Sequence, residues 1–265
     1  MNRLGLVLGP VLAGVVLTSD LFLAPTAIAV PTLPAAVPAG GVATARPAQA
    51  ATPATPRVAR AKLPDPHTAT FADQVPADTT QVVRTIPSHR WCKAVYCSLT
   101  QAWRKQDGTW RLVRQFRSTI GSRGWGKTKE GDDRSPVGVL RITVTFSTGA
   151  RPGPMPWRRR KPTSVLSMSH GANYNTWLEI PGRTAGSRPS MRWGWVVDYN
   201  HPRLTPGKGP APVAGKGGAI FYHTSLPGHR YAPTEGCTQV GNPRSMHWLV
   251  HWLRPKADPR IVQDL

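Results

Sequence analysis

The chain has 265 residues, of which 28 Pro and 25 Gly make up a fifth, and this excludes a helical bundle because neither residue is tolerated well in helix interiors. Lys and Arg number 34 against 13 Asp and Glu, a net charge of +21 that suits an anionic surrounding such as nucleic acid, an anionic membrane or an anionic cell-wall polymer. Hydrophobic residues at 40% with ten Trp are enough for a core, which excludes a wholly disordered polybasic chain.

Arg3 precedes an apolar run from Leu4 to Leu17, and no further charge appears before Asp20. The run is shorter than the ~20 residues that span a bilayer as a helix. With the small-residue site Ala27-Ile28-Ala29 it predicts a secretory signal over residues 1–29, cleaved before Val30. The alternative is an uncleaved membrane anchor in which Leu21 to Val30 extends the apolar stretch. Either places the rest of the protein outside the cytoplasm, secreted toward a cell wall or periplasmic space. From Val30 to Pro66 the chain holds 8 Pro and 11 Ala, with no Phe, Tyr or Trp between Phe22 and Phe71, so residues 30–67 read as a disordered spacer. All ten Trp fall between Trp91 and Trp252, which puts the folded unit at residues 68–265 with a net charge of +18.

Within that unit the patterning is strand-like. Ser98 to Arg104 and Trp110 to Phe116 flank the turn Gln106-Asp107-Gly108 and predict a β-hairpin. Val137 to Phe146, Trp193 to Tyr199 and Gly218 to His223 are β-branched or aromatic runs of strand length. One helix is predicted near the end, where Asn242 caps, Pro243 occupies the first turn, Met246, Leu249, Val250 and Leu253 recur at helical spacing, and Pro255 stops it. The expected fold is mainly β, a sandwich or a barrel-like sheet pair, with one late helix.

Cys92 and Cys97 stand five positions apart and, in an oxidising setting, are expected disulfide partners. That leaves Cys237 alone, in the turn-like stretch Pro233-Thr234-Glu235-Gly236-Cys237. A thiol of ordinary pKa, about 8.5, needs a base or a cationic neighbour to react near neutrality. His223, fourteen positions earlier at a strand end, is the candidate base, and the N–H groups of Gly236 and Cys237 are candidate oxyanion donors. The alternative is a buried structural thiol beside a hydrogen-bonded strand-end histidine.

The run His223-Thr224, a glycine-containing loop and Thr234-Glu235-Gly236-Cys237 resembles the signature of the L,D-transpeptidase (YkuD-like) catalytic domain, in its secreted actinobacterial form. Gly121 to Gly126, Lys129-Glu130-Gly131-Asp132, Ser135-Pro136-Val137-Gly138 and Asp198-Tyr199-Asn200 also resemble that family. The resemblance spans about residues 80–265. It implies a YkuD-like β-sandwich with Cys237 as nucleophile, His223 as base and the Thr224 carbonyl orienting the imidazole. Tyr222, Thr234, Glu235 and Gln239 are expected around the substrate, and Tyr199 and Asn200 either join them in lining the donor cleft or close the sheet. Two positions depart from it: Glu235 stands where many members have His, and Gln239 where many have Arg. Glu235 would oppose thiolate formation unless it turns away or pairs with Arg230 or His229.

The implied reaction is acyl transfer on peptidoglycan stem peptides, with an acyl-thioester on Cys237, release of D-alanine and 3→3 cross-linking, and with no metal or organic cofactor. Water in place of the acceptor amine would make an L,D-carboxypeptidase. A non-catalytic wall-binding module of the same fold is the competing class, and a papain-like hydrolase is disfavoured because the His precedes the Cys. The implied partners are stem peptides and anionic wall polymers, without nucleic acid, for a monomeric protein. His247 and His251 have the i,i+4 spacing of a zinc pair but no evident third ligand, so they read as a helix face. Arg158-Arg159-Arg160-Lys161 reads as a solvated basic loop, and Ser169-His170-Gly171 with Tyr174, Asn175 and Trp177 as residues lining a donor cleft.

Overall fold

The computed structural model describes residues 68–263; the expected signal over residues 1–29 and spacer over residues 30–67 lie outside them. Among the described residues no helix is long and apolar enough to cross a membrane. The strands are β1 (Gln81–Pro87), β2 (Cys97–Gln106), β3 (Thr109–Thr119), β4 (Gly138–Ser147), β5 (Trp157–Arg159), β6 (Ser164–Ser167), β7 (Thr176–Glu179), β8 (Trp193–Val197), β9 (Phe221–Thr224), β10 (Thr238–Val240) and β11 (Arg260–Gln263). Among the described residues a single α-helix, α1 (Pro243–Trp252), lies between β10 and β11.

The predicted hairpin is β2–β3, closed at Gln106↔Thr109 by Asp107 and Gly108, both at positive φ as the two-residue hairpin turn requires. Helix α1 starts as the cap pattern predicts: Asn242 accepts a hydrogen bond from the Arg244 N–H at 2.9 Å, and Pro243 occupies the first turn. Its Met246, Leu249 and Val250 are fully buried, which is the apolar face that the spacing marked.

The main sheet closes on itself. Its order is β11-β1-β2-β3-β10-β9-β8-β4, and β4 pairs back with β11, while β5 adds to the outer end of β4. Strand β4 makes closure possible because its first half pairs with β11 and its second half with β8, the register slipping between Ile142 and Val144. A bulge of this kind bends a strand, which lets one strand belong to two walls. The architecture is therefore mainly β and barrel-like, one closed sheet where two packed sheets are the sandwich expectation.

Alternation along β8 and β9 divides inside from outside. Trp195, Val197 and Tyr222 point into the main core with Val83, Ala102, Val240, Ile261 and the buried face of α1. Trp195 and Tyr222 stack there with ring centroids 4.6 Å apart. Val196 and Phe221 face outward into a second cluster with Val144, Phe146, Leu166 and Trp177, roofed by the β6–β7 hairpin. Strands β1, β5, β6, β7, β10 and β11 were not anticipated from the sequence, and β9 begins three residues later than the apolar run, because Ala219 sits at φ 52° and turns the chain before it.

Candidate active site

Strands β9 and β10 run parallel with His223 opposite Gln239 and Tyr222 opposite Thr238. Paired residues share a face, so Phe221, His223, Cys237 and Gln239 stand on the outer face of the barrel, and Tyr222, Thr224, Thr238 and Val240 on the inner one. This register, which no spacing rule could supply, brings the predicted nucleophile and base to one surface.

Cys237 is a free, half-buried thiol, and Cys92 is joined to Cys97 in a disulfide. The thiol opens onto a cleft of about 490 Å³ whose lining includes Lys127, Glu130, Met168, Ala219, Ile220 and Glu235. Its Sγ accepts a hydrogen bond from the Phe221 N–H at 3.4 Å and lies 3.6 Å from the Ala219 carbonyl, to which the S–H donates. Burial pushes the thiol up to about 11; the Phe221 N–H, Lys127 and Arg160 oppose that rise, and Glu235 adds to it.

His223 Nδ1 donates to the Thr224 carbonyl at 2.6 Å, the arrangement the resemblance implies, and this leaves the lone pair on Nε2. Burial pushes the imidazole down to about 4; the Thr224 and Ser190 carbonyls work against that, and Arg160 reinforces it. Among the described residues no hydrogen bond joins the thiol to the imidazole, so the resting pair is a neutral thiol and a neutral base on one face.

The cysteine element is stitched into place by hydroxyls. Thr234 Oγ1 donates to the Cys237 carbonyl at 2.6 Å and accepts the Gly236 N–H at 3.2 Å. Gly236 is therefore engaged by Thr234, which corrects the expectation that both N–H groups stand ready for an oxyanion. Ser135, fully buried, donates to the Gly236 carbonyl at 2.8 Å and accepts the Gly121 N–H at 3.0 Å. Gly236 has φ 140°, and a Cβ there would stand 2.9 Å from the Arg134 carbonyl oxygen, so only glycine fits.

Asp132 organises the cleft wall. It accepts N–H groups from Thr128, Lys129 and Arg134 and pairs with Lys127 Nζ at 2.9 Å. Burial by itself raises its pKa, but these donors outweigh that and hold the carboxyl well below the usual range. Tyr174 props the same wall, donating to Glu130 at 3.0 Å and accepting the Gly217 N–H at 2.9 Å. Neither Asp132 nor Ser135 was marked as a site residue from the sequence, although both sit in motifs that carry the family resemblance.

The remaining predicted residues divide. Glu235 lines the cleft and is exposed, and it forms no ion pair with Arg230 or His229 among the described residues. Tyr199 and Asn200 are buried behind the cleft and act on its loops. The Tyr199 hydroxyl bonds the Lys127 and Lys216 carbonyls, and Asn200 Nδ2 donates to the Val213 and Gly217 carbonyls. Asn175, expected in the cleft lining, is fully buried and bonds the Tyr199 and Asn200 carbonyls. Trp177 belongs to the outer apolar cluster. Gln239 is buried, its Nε2 3.3 Å from the carbonyls of His229 and Arg230, so it ties down the loop between His223 and Cys237. Tyr222 is corrected outright: it faces the barrel interior, its hydroxyl bonded to Thr85 and Thr100, and is fully buried there.

The basic run is also corrected. Arg159 and Lys161 are exposed, but Trp157–Arg159 form β5 and Arg160 turns inward to 4% exposure. Its guanidinium lies over the rings of Phe146, Trp177 and Phe221 at 5.2 to 5.3 Å, in the cluster against which Cys237 packs. Alternation from Trp157 would have turned Arg160 outward, so no local signal marked this inward turn. His247 and His251 lie ring to ring at 4.1 Å on the helix, and among the described residues no three His, Cys, Asp or Glu side chains form a group able to hold a metal ion.

Fold and site together define a barrel-like, mainly β protein with one free thiol in a cleft and a buried histidine on the same sheet face. No family model matches the chain, and no curated protein matches it.

Proposed function

We propose that the protein is a cysteine-dependent L,D-transpeptidase acting on peptidoglycan stem peptides. The observation that carries this reading is the pairing of β9 with β10, which sets His223, its Nδ1 held by the Thr224 carbonyl, on the face where the Cys237 thiol opens onto the cleft. A free Cys237 beside a Cys92–Cys97 disulfide favours it over a wall-binding module in which all the sulfur is structural.

The chemistry starts from neutral partners. Nε2 of His223 takes the thiol proton as Sγ attacks the amide carbonyl carbon of the stem's diamino acid, and the Cys237 N–H faces the developing oxyanion. The C–N bond breaks, and the D-alanine amine leaves with the proton from the imidazolium. The side-chain amine of a second stem then attacks the thioester and gives a proton to His223. The C–S bond breaks, the sulfur recovers that proton, and a 3→3 cross-link remains. Water as acceptor gives L,D-carboxypeptidase activity from the same intermediate. The folded unit's net charge of +18 favours retention on anionic wall polymers through contacts that weaken with salt.

Intact mass of the purified protein after exposure to a carbapenem tests the reading, beside a Cys237→Ala control. One stable adduct that disappears in the control is expected. A folded protein with a reduced Cys237 that takes no adduct sinks the reading and leaves the wall-binding module.

A further inference from the structure

Arg160 is a cation buried without an ion-pair partner among the described residues. Its Nε and Nη1 are sealed from solvent and have no hydrogen-bond partner, and among the described residues no carboxylate lies within ion-pair distance of it. A buried donor left unsatisfied on a charged group is costly and calls for an explanation. What surrounds it is aromatic: Phe146, Trp177 and Phe221 present their faces to the guanidinium. Phe221 is also the residue whose N–H reaches Cys237 Sγ, and Cys237 packs on the same cluster. The cleft lining includes the thiol but not Arg160, so the guanidinium shares the aromatic cluster with Cys237 and is not among the groups that face the cleft.

We propose that Arg160 is a positioning residue for the reactive thiol, a built-in counter-charge whose unpartnered N–H groups stabilise the Cys237 thiolate as it forms and leave the imidazole of His223 neutral. This deepens the transpeptidase reading and rests on Cys237 being the nucleophile.

The other charges around the pair are accounted for. Glu179 and Arg188 act on Arg160 from the β6–β7 side, but the Glu179 carboxylate is already bonded by Thr163, Ser164 and the Trp177 indole. On the thiol, Lys127 acts from the cleft but is bound to Asp132, and Glu235 acts with the opposite sign from an exposed position. Burial lowers Arg160 itself to about 10, which leaves it protonated at neutral pH. Of the cations near the sulfur, Arg160 is the one in the apolar cluster, where a charge is least screened.

The test is the pH dependence of Cys237 alkylation by iodoacetamide in the full chain with the Cys92–Cys97 disulfide intact, comparing wild type, Arg160→Lys and Arg160→Met. The midpoint is expected to rise by about one unit in R160M, roughly tenfold less thiolate at a given pH, with R160K in between. An unchanged midpoint in folded R160M overturns the proposal. If R160M does not fold, Cys237→Asp and Cys237→Asn are melted from pH 4 to 8. The Asp variant is expected to match or exceed the Asn variant at pH 7 and to lose ground on acidification, and an Asp variant that is the weaker at pH 7 overturns the proposal. Neither assay uses acylation, so a wild type that takes no carbapenem adduct fails the transpeptidase reading and leaves the Arg160 result standing. An unchanged midpoint in an enzyme that acylates removes only the role of Arg160.

Discussion

Thr234 and Cys237 close a four-residue loop on themselves: the Thr234 hydroxyl donates to the Cys237 carbonyl at 2.6 Å while accepting the N–H of the intervening Gly236 at 3.2 Å. One side chain thus sets the backbone on both sides of the nucleophile's peptide bond. Thr234→Val keeps the shape and deletes both bonds. It is expected to destabilise the fold by about 1–2 kcal/mol and to slow carbapenem acylation by about tenfold, with Thr234→Ser restoring most of both. Thermal melts and adduct formation rates check this, and equal rates for Val and Ser would remove the hydroxyl from the argument.

Stability should form a dome in pH. For His223 the ordinary value is 6.5 and the folded value about 4, so as pH falls the unfolded chain takes the proton first and stability drops between those values. For Cys237 the folded value, about 11, lies above that of an ordinary thiol, so the unfolded chain releases its proton first and stability drops as pH rises from the ordinary value to the folded one. Each limb is worth up to about 3 kcal/mol. Denaturant unfolding from pH 4 to 11 measures both. His223→Gln should flatten the acid limb and Cys237→Ala the alkaline one, and limbs that persist unchanged belong to other groups.

Glu235 holds a negative charge in the cleft with the thiol and no bound cation of its own among the described residues. Glu235→Gln should speed alkylation of Cys237 by about threefold at low salt, and the gain should shrink at high salt because the residue is exposed. Rates unaffected at every ionic strength would show that the carboxylate is screened from the sulfur.

Tyr222→Phe deletes a hydroxyl bonded to Thr85 and Thr100 inside the barrel. It should cost about 1–2 kcal/mol and leave the alkylation rate of Cys237 unchanged. A loss of thiol reactivity without a loss of stability would return Tyr222 to the substrate side.

Local chemistry was legible in the sequence. The Asp107-Gly108 turn, the Asn242-Pro243 helix start and the apolar runs of β4 and β8 each depend on a few adjacent residues, and the mainly β class follows from them. The lone thiol and the histidine upstream of it were legible as well, because residue type and cysteine arithmetic do not depend on the fold. Only tertiary structure decided which way each side chain faces. Strand alternation has a period of two, so a shift of one residue reverses every orientation. Tyr222 went inward and its neighbour His223 outward because β9 pairs with β10 in one register, and Arg160 left the solvated run to enter an aromatic cluster built from β4, β7 and β9. Closure of the sheet rests on β4 pairing with both β8 and β11, whose partner residues lie 46 or more positions away along the chain. Pairings of that range depend on the whole chain's packing, and no local pattern encodes them.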